Sequence, residues 1–272
     1  MNSRLSHFGT CCLCHNDDVL QISHSIPDAI FRRLFSKGSG SAIVLNNRED
    51  DQIHKSQDSW GARLLCQKCE RDLNVYFDVF GDKFSKGMDG SIRHEVDFSH
   101  IKSIDQRTLR MFFLSVVWRM HHSTAIPYLD IKIPAIVEGQ LRGCLLKNKS
   151  LPQKLATVRL FRLKDKSEIN GFSDDHLESF IVSPWCRFNE KKKYFVEYIF
   201  SGYFVSVEML GAAVKERRKI GVLSEEIGPM LIPQKEPIEI PQVMETLLHA
   251  MDKTERGLVA KSVKKYLVDQ KK

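Results

Sequence analysis

Two Cys-x2-Cys pairs lie far apart in the first third of the chain, Cys11 with Cys14 in TCCLCHND and Cys66 with Cys69 in LLCQKC. Each pair can grip one ion across a tight turn, but two thiolates fill only half of a tetrahedral shell. The pairs therefore need each other, and the long interval between them must be structured so that the chain leaves and returns. That interval opens with LQISHSIPDAIFRRLF. Val19, Leu20 and Ile22 read as a short strand ending at His24. Ile26, Ile30, Phe31 and Leu34 then recur at helical spacing, with Pro27 in the first turn. Behind the second pair, Leu73, Tyr76 and Phe77 continue a helical pattern to about Phe84, where KGMDGS breaks it. Cys12 with Cys14 lacks the gripping spacing and is a spare, although register alone also admits Cys12 in place of Cys11.

The choice between metal and disulfide turns on compartment. The start MNSRLSHFG lacks the apolar region of a signal peptide, and the longest apolar run, 111–118, falls far short of a membrane span. A cytoplasmic protein without a membrane partner is expected, and there paired cysteines favour metal. Of seven cysteines, four fall in the two pairs; Cys12, Cys144 and Cys186 are scattered, the last two reading as small core hydrophobes. No P-loop, dinucleotide fingerprint or Gly-x-Ser-x-Gly elbow occurs, which removes the common ATPase, dehydrogenase and hydrolase readings.

The rest of the chain changes period. A polar insertion at 36–59 carries a short strand at 42–45. Leu109, Phe112, Phe113, Val116, Val117 and Met120 cover most of a helix over 106–122, as expected of a buried central helix. A second helix is expected over 136–146 behind Pro134, and KNKSLPQK at 147–154 reads as a domain linker. Strands are expected at 158–161, 180–182, 194–200 and 203–207, the last two joined at Ser201-Gly202 as a hairpin. A Pro-punctuated connector (228–241) and helices at 243–251 and 258–267 follow. The predicted fold class is α+β in three parts: a zinc domain at 1–90, a helical extension at 91–150, and a β-rich domain ending in helices at 151–272.

A knuckle, a strand ending in histidine and a second knuckle opening a helix follow each other in the order of a treble-clef zinc fold. With His24 at that strand end, residues 9–85 resemble the HNH nuclease family. The resemblance implies a structural Zn2+ on Cys11, Cys14, Cys66 and Cys69, and a general-base role for His24. In that family a histidine that holds the catalytic metal commonly follows the second knuckle. Here the position is Glu70, and a carboxylate suits Mg2+ or Mn2+ because hard cations prefer oxygen donors. The chain departs from the pattern where an Asn is expected a few residues before Cys66, with only Asp58 close. It is also similar to a bacterial group with C-x2-C, SHIIP, LLC-x2-CE and a later WR-containing helix, here Cys11 to Cys14, Ser23 to Pro27, Leu64 to Glu70, and Trp118-Arg119. Glu70 is the usual residue in that group, which is associated by analogy with defence against phage.

The net charge of +7 suits a nucleic-acid partner. Arg187, Lys191, Lys192 and Lys193 interleave with Trp185, Phe188, Tyr194, Phe195 and Tyr198, so this segment could join base stacking to phosphate attraction; the plainer reading is a solvated face. A second basic run holds Lys215, Arg217, Arg218 and Lys219. His121 and His122 point about 100° apart on a helix and make a poor metal grip, and Asp174, Asp175 and His176 read as a polar turn. Two functions follow. One is a metal-dependent endonuclease with His24 and Glu70 as catalytic residues. The other is an inactive zinc-stabilised protein that binds nucleic acid or a protein partner, with His24 merely hydrogen-bonded in its turn and Glu70 favouring a helix N-terminus.

Overall fold

A computed structural model describes residues 7–37, 42–44, 53–167, 171–179 and 182–259. Strands β1 (Phe8–Thr10) and β2 (Asp17–His24) form a hairpin whose turn is the first Cys pair, with His15 in the left-handed region at φ 63°. Helix α1 (Asp28–Lys37) follows, then the short antiparallel pair β3 (Ala42–Val44) and β4 (His54–Ser56). Strand β5 (Gly61–Cys66) returns antiparallel to β2, giving a three-stranded sheet in the order β1-β2-β5. Its register sets Leu20 opposite Cys66 and His24 opposite Gly61. Three consecutive segments carry the chain away: α2 (Gln67–Leu73), a π-helical turn over Asn74–Asp78, and α3 (Val79–Ser85).

The second layer begins with β6 (Ile92–His94) and β7 (Phe98–Asp105), then α4 (Gln106–His122) and α5 (Ala135–Leu146). Next come β8 (Ala156–Leu163), α6 (Asp174–Glu178), β9 (Trp185–Phe188), β10 (Tyr194–Phe200) and β11 (Tyr203–Met209). The short helix α7 (Val214–Arg217), β12 (Ile227–Lys235) and α8 (Pro241–Glu255) complete the described chain. Seven strands form one sheet in the order β6-β7-β12-β8-β11-β10-β9, antiparallel except where β12 meets β8. The architecture is α+β.

Helix α4 holds the two layers together. The Asp105 side chain caps it by accepting from Thr108 N at 2.9 Å, which satisfies one of the orphan donors of the first turn. Every side chain from Leu109 to Met120 is buried, so the expected central helix stands. Phe112 lies 5.6 Å from Phe200 of the large sheet, centroid to centroid. On α3, a Cβ added to Gly81 would come within 2.4 Å of the Phe112 ring, so glycine alone permits this close approach. Phe84 packs against both Phe113 and Tyr203. The main core runs from Cys11 to Ile232, and a smaller cluster gathers Leu163, Leu177, Ile199, Phe204, Ile240 and Val243.

Several expectations take a different form. The 91–150 stretch is not purely helical, because β6 and β7 belong to the large sheet. The 147–154 segment is not a free linker: Leu151 is fully buried, and Arg107 Nη2 donates to the Asn148 carbonyl at 2.7 Å. The Pro-punctuated connector is largely the strand β12, which tolerates Pro229 because the ladder is interrupted by a register shift between Gly228 and Met230. Asp174–Glu178 is a short helix capped by Ser173 rather than a turn. Of the strand expected at 180–182, Val182 alone is described and lies in no strand, and of the final helix only Leu258 and Val259 are described.

Candidate functional site

The same two strands carry two sites. At one end of the β2–β5 ladder, the sulfur atoms of Cys11, Cys14, Cys66 and Cys69 all lie within 4.8 Å of one another, with Cys14 Sγ and Cys66 Sγ 3.9 Å apart. A tetrahedral ion bonded to sulfur at about 2.3 Å requires sulfur–sulfur edges of about 3.8 Å, so the set can close on one ion. The first knuckle is shaped by its backbone: His15 N donates to the Cys11 carbonyl and Cys11 N to the Asn16 carbonyl, both at 2.9 Å. Cys12 N donates to the Leu64 carbonyl at 3.0 Å, tying the knuckle to β5 and leaving the Cys12 sulfur outside the four. Cys66 opens α2 and Cys69 lies in its first turn.

The chemistry of the donors argues for a cation. Burial pushes the Cys66 and Cys69 thiols above their ordinary range, Cys69 farthest, because an unpaired thiolate there would be poorly solvated. At Cys11 burial acts in the same sense but is outweighed by backbone N–H groups of Cys14, Cys66 and Leu13, which hold this thiol low. Four sulfurs in mutual contact cannot all ionise without a positive charge among them, which is what a bound metal supplies. Among the described residues no other group of three or more His, Cys, Asp or Glu side chains converges in this way.

At the other end of the ladder a cleft of about 700 Å³ opens. One wall presents Gln21, Ile22, His24 and Asp28, and the other, from the long helix, presents Gln67, Glu70, Arg71, Asn74 and Asp78. Pro27, Arg63 of β5 and Arg119 of α4 complete the lining. His24 Nε2 lies 4.0 Å from Asp28 Oδ1, and Arg32 Nε holds the other Asp28 oxygen at 2.8 Å. Opposite, a Cβ at Gly61 would stand 2.9 Å from His24 Nε2 and 2.6 Å from Ile22 Cγ2, so only glycine leaves the imidazole its place. Glu70 accepts a 2.5 Å hydrogen bond from the buried Ser23 hydroxyl, which aims the carboxylate.

The cleft floor is a buried ion pair. Arg119 donates to both Asp78 oxygens, at 2.5 and 2.9 Å, and the guanidinium is almost wholly out of solvent. Burial opposes its charge, but Asp78, with a further contribution from Glu70, holds Arg119 above the usual guanidinium range. Asn74 and Asp78 bound the π-helical turn, a distortion that is frequent at functional sites because it re-aims side chains.

The residues singled out from sequence thus divide into two groups. His24 and Glu70 meet in one cleft. Arg187, Lys191, Lys192 and Lys193 lie in and beside β9, at the edge of the large sheet, with Lys191 and Lys192 exposed in the β9–β10 turn. Arg187 grips Glu197 with two 2.7 Å hydrogen bonds and Lys193 reaches Glu208 at 2.5 Å, so half of that basic cluster is already neutralised. Its aromatic partners are largely engaged too: Trp185 stacks on Phe204, and the Tyr194 hydroxyl donates to the Lys132 carbonyl. Sequence reasoning missed Asp28, Arg63, Arg71, Asn74, Asp78 and Arg119. Asp28 and the helix-wall residues could have been found from i, i+4 spacing with His24 and Glu70, whereas nothing in the apolar α4 pattern reveals what Arg119 faces. His122 pairs with Glu138 at 3.1 Å and His121 Nδ1 accepts from Ile133 N, away from any ligand set.

No family model, no curated protein and no solved structure matches this chain. Among the described residues no helix is long and apolar enough to cross a membrane.

Proposed function

We propose that this chain is a zinc-stabilised, HNH-like endonuclease that cleaves nucleic acid in the cleft between β2 and the long helix. The supporting observation is that His24 and Glu70, drawn from distant segments, line one cleft built on the same strands and helix that carry the four-cysteine cluster. In this reading the cluster holds one Zn2+ in a treble clef, and the ion is structural, because four protein sulfurs leave no open position for substrate.

The chemistry then belongs to the cleft. His24, steered by Asp28, takes the proton of a water that attacks the scissile phosphate. Glu70, aimed by Ser23, is the carboxylate that would hold Mg2+ or Mn2+ there, since one or two carboxylates plus phosphate is how such ions are usually held. Such an ion, when bound, would offset negative charge that builds on the phosphate oxygens. A second reading, binding of nucleic acid or a partner protein without turnover, draws on the lack of a three-ligand group in the cleft among the described residues.

The deciding experiment is cleavage of plasmid DNA and of RNA with Mg2+ or Mn2+, run beside His24→Ala with zinc content and melting measured on both. The endonuclease reading expects cleavage by the parent protein and about 100-fold or greater loss in the variant, with metal and fold intact. Undiminished cleavage by His24→Ala, or none by either protein, overturns it.

A further inference from the structure

The cleft's charges are unevenly spent. Of its three carboxylates, Asp28 faces Arg32 and Asp78 faces Arg119, so two are already matched by guanidinium groups. Of its three arginines, only Arg119 has a carboxylate in close contact. Arg63, from the strand wall opposite Ile22, donates through Nη1 to the neutral Leu20 carbonyl at 2.7 Å. That bond orients the guanidinium fork without cancelling its charge. Arg71, from the helix wall, is 71% exposed, and its nearest carboxylate is Asp72 at 3.9 Å, which Lys68 already holds at 2.6 Å. Glu70 alone stands against these two charges inside the cleft.

We infer that Arg63 and Arg71 grip the phosphodiester backbone of a nucleic-acid strand lying in the cleft, one from each wall, as substrate-positioning residues. The inference rests on the reading of the cleft as a nucleic-acid site. A guanidinium suits this task because its planar fork matches phosphate oxygens in two parallel hydrogen bonds. A ligand that meets both lies in the cleft that His24 and Glu70 also line. The exposed lysines of the β9–β10 turn are the rival anchor, and they belong to the edge of the other sheet.

The test measures binding of matched single-stranded DNA and RNA oligonucleotides, and of inorganic phosphate, by full-length protein over a range of salt. Cleavage kinetics accompany it. Arg63→Gln and Arg71→Gln should each weaken oligonucleotide binding about tenfold, and each should lower the salt slope by about one. They should raise KM more than they lower kcat, and zinc content and melting should stay as in the parent protein. His24→Ala should still bind. If the parent binds through the arginines yet never cleaves, the endonuclease reading fails and this inference stands. If the parent cleaves while both arginine variants match it in affinity and salt slope, the inference fails alone. Binding lost on Lys191→Gln/Lys192→Gln but kept in the arginine variants also overturns it, as does binding of inorganic phosphate without either oligonucleotide.

Discussion

The sulfur cluster and the cleft share β2, β5 and the helix that begins at Gln67, yet they are built on different principles. The cluster takes four like ligands from two local motifs, and its geometry follows once Leu20 pairs with Cys66. The cleft takes unlike groups from five elements, and each needs a particular neighbour: Asp28 for His24, Ser23 for Glu70, Asp78 for Arg119. The difference teaches that the first site is a condition of the fold, whereas the second is a product of it. Losing a cluster ligand should therefore remove both, and losing a cleft residue should remove only one.

The sharpest break is metal removal. Cys66→Ser, or chelation of the parent protein, should unfold the β1–β2–β5 sheet, since structural zinc in small domains is worth about 10–16 kcal/mol of apparent binding free energy. Melting followed by circular dichroism, beside metal analysis, checks this, and an unchanged melt in metal-free protein would contradict a structural role. The next largest effect belongs to the cleft floor. Asp78→Ala leaves Arg119 charged and buried without its partner, and urea unfolding should register a loss of about 3–5 kcal/mol with metal content unchanged. Replacing both with leucine should recover much of that loss, because the cost lies in the stranded charge.

The smallest effect on stability comes from Gly61→Ala. Its added methyl would crowd His24 Nε2 at 2.9 Å, so the imidazole must move. Overpacking of this kind costs about 1–3 kcal/mol, while misplacing a reacting group by about 1 Å can cost about 100-fold in rate. On the proposed endonuclease reading, cleavage should fall steeply with only a modest drop in melting temperature. Equal falls in both would erase the distinction between the two sites.

How far the fold could be read from sequence follows the same division. Helix α4 was legible because its apolar residues repeat at helical period, and the β10–β11 hairpin because aromatic and β-branched runs flank Ser201-Gly202. Strand β7 was not legible: Ser99, His100, Lys102 and Ser103 interrupt its apolar residues, and Ser99 is buried all the same. Strand β12 was hidden by Pro229 and Pro233, the first of which a local register shift accommodates. The cluster was legible from its two Cys-x2-Cys spacings, but only the structure leaves Cys12 outside the four. The basic hairpin was legible as charge but not as free charge, since Glu197 and Glu208, which neutralise half of it, lie on neighbouring strands.

By itself the sequence determined the ligand spacing, the strand that ends at His24 and the helix that starts at the second knuckle, since each depends on side chains a few residues apart. Tertiary structure alone decided that His24 and Glu70 share a cleft, that Arg119 closes its floor, and which arginines keep their charge. Those outcomes depend on partners brought together by packing around α4, and distance in space between such partners is not written in their order along the chain.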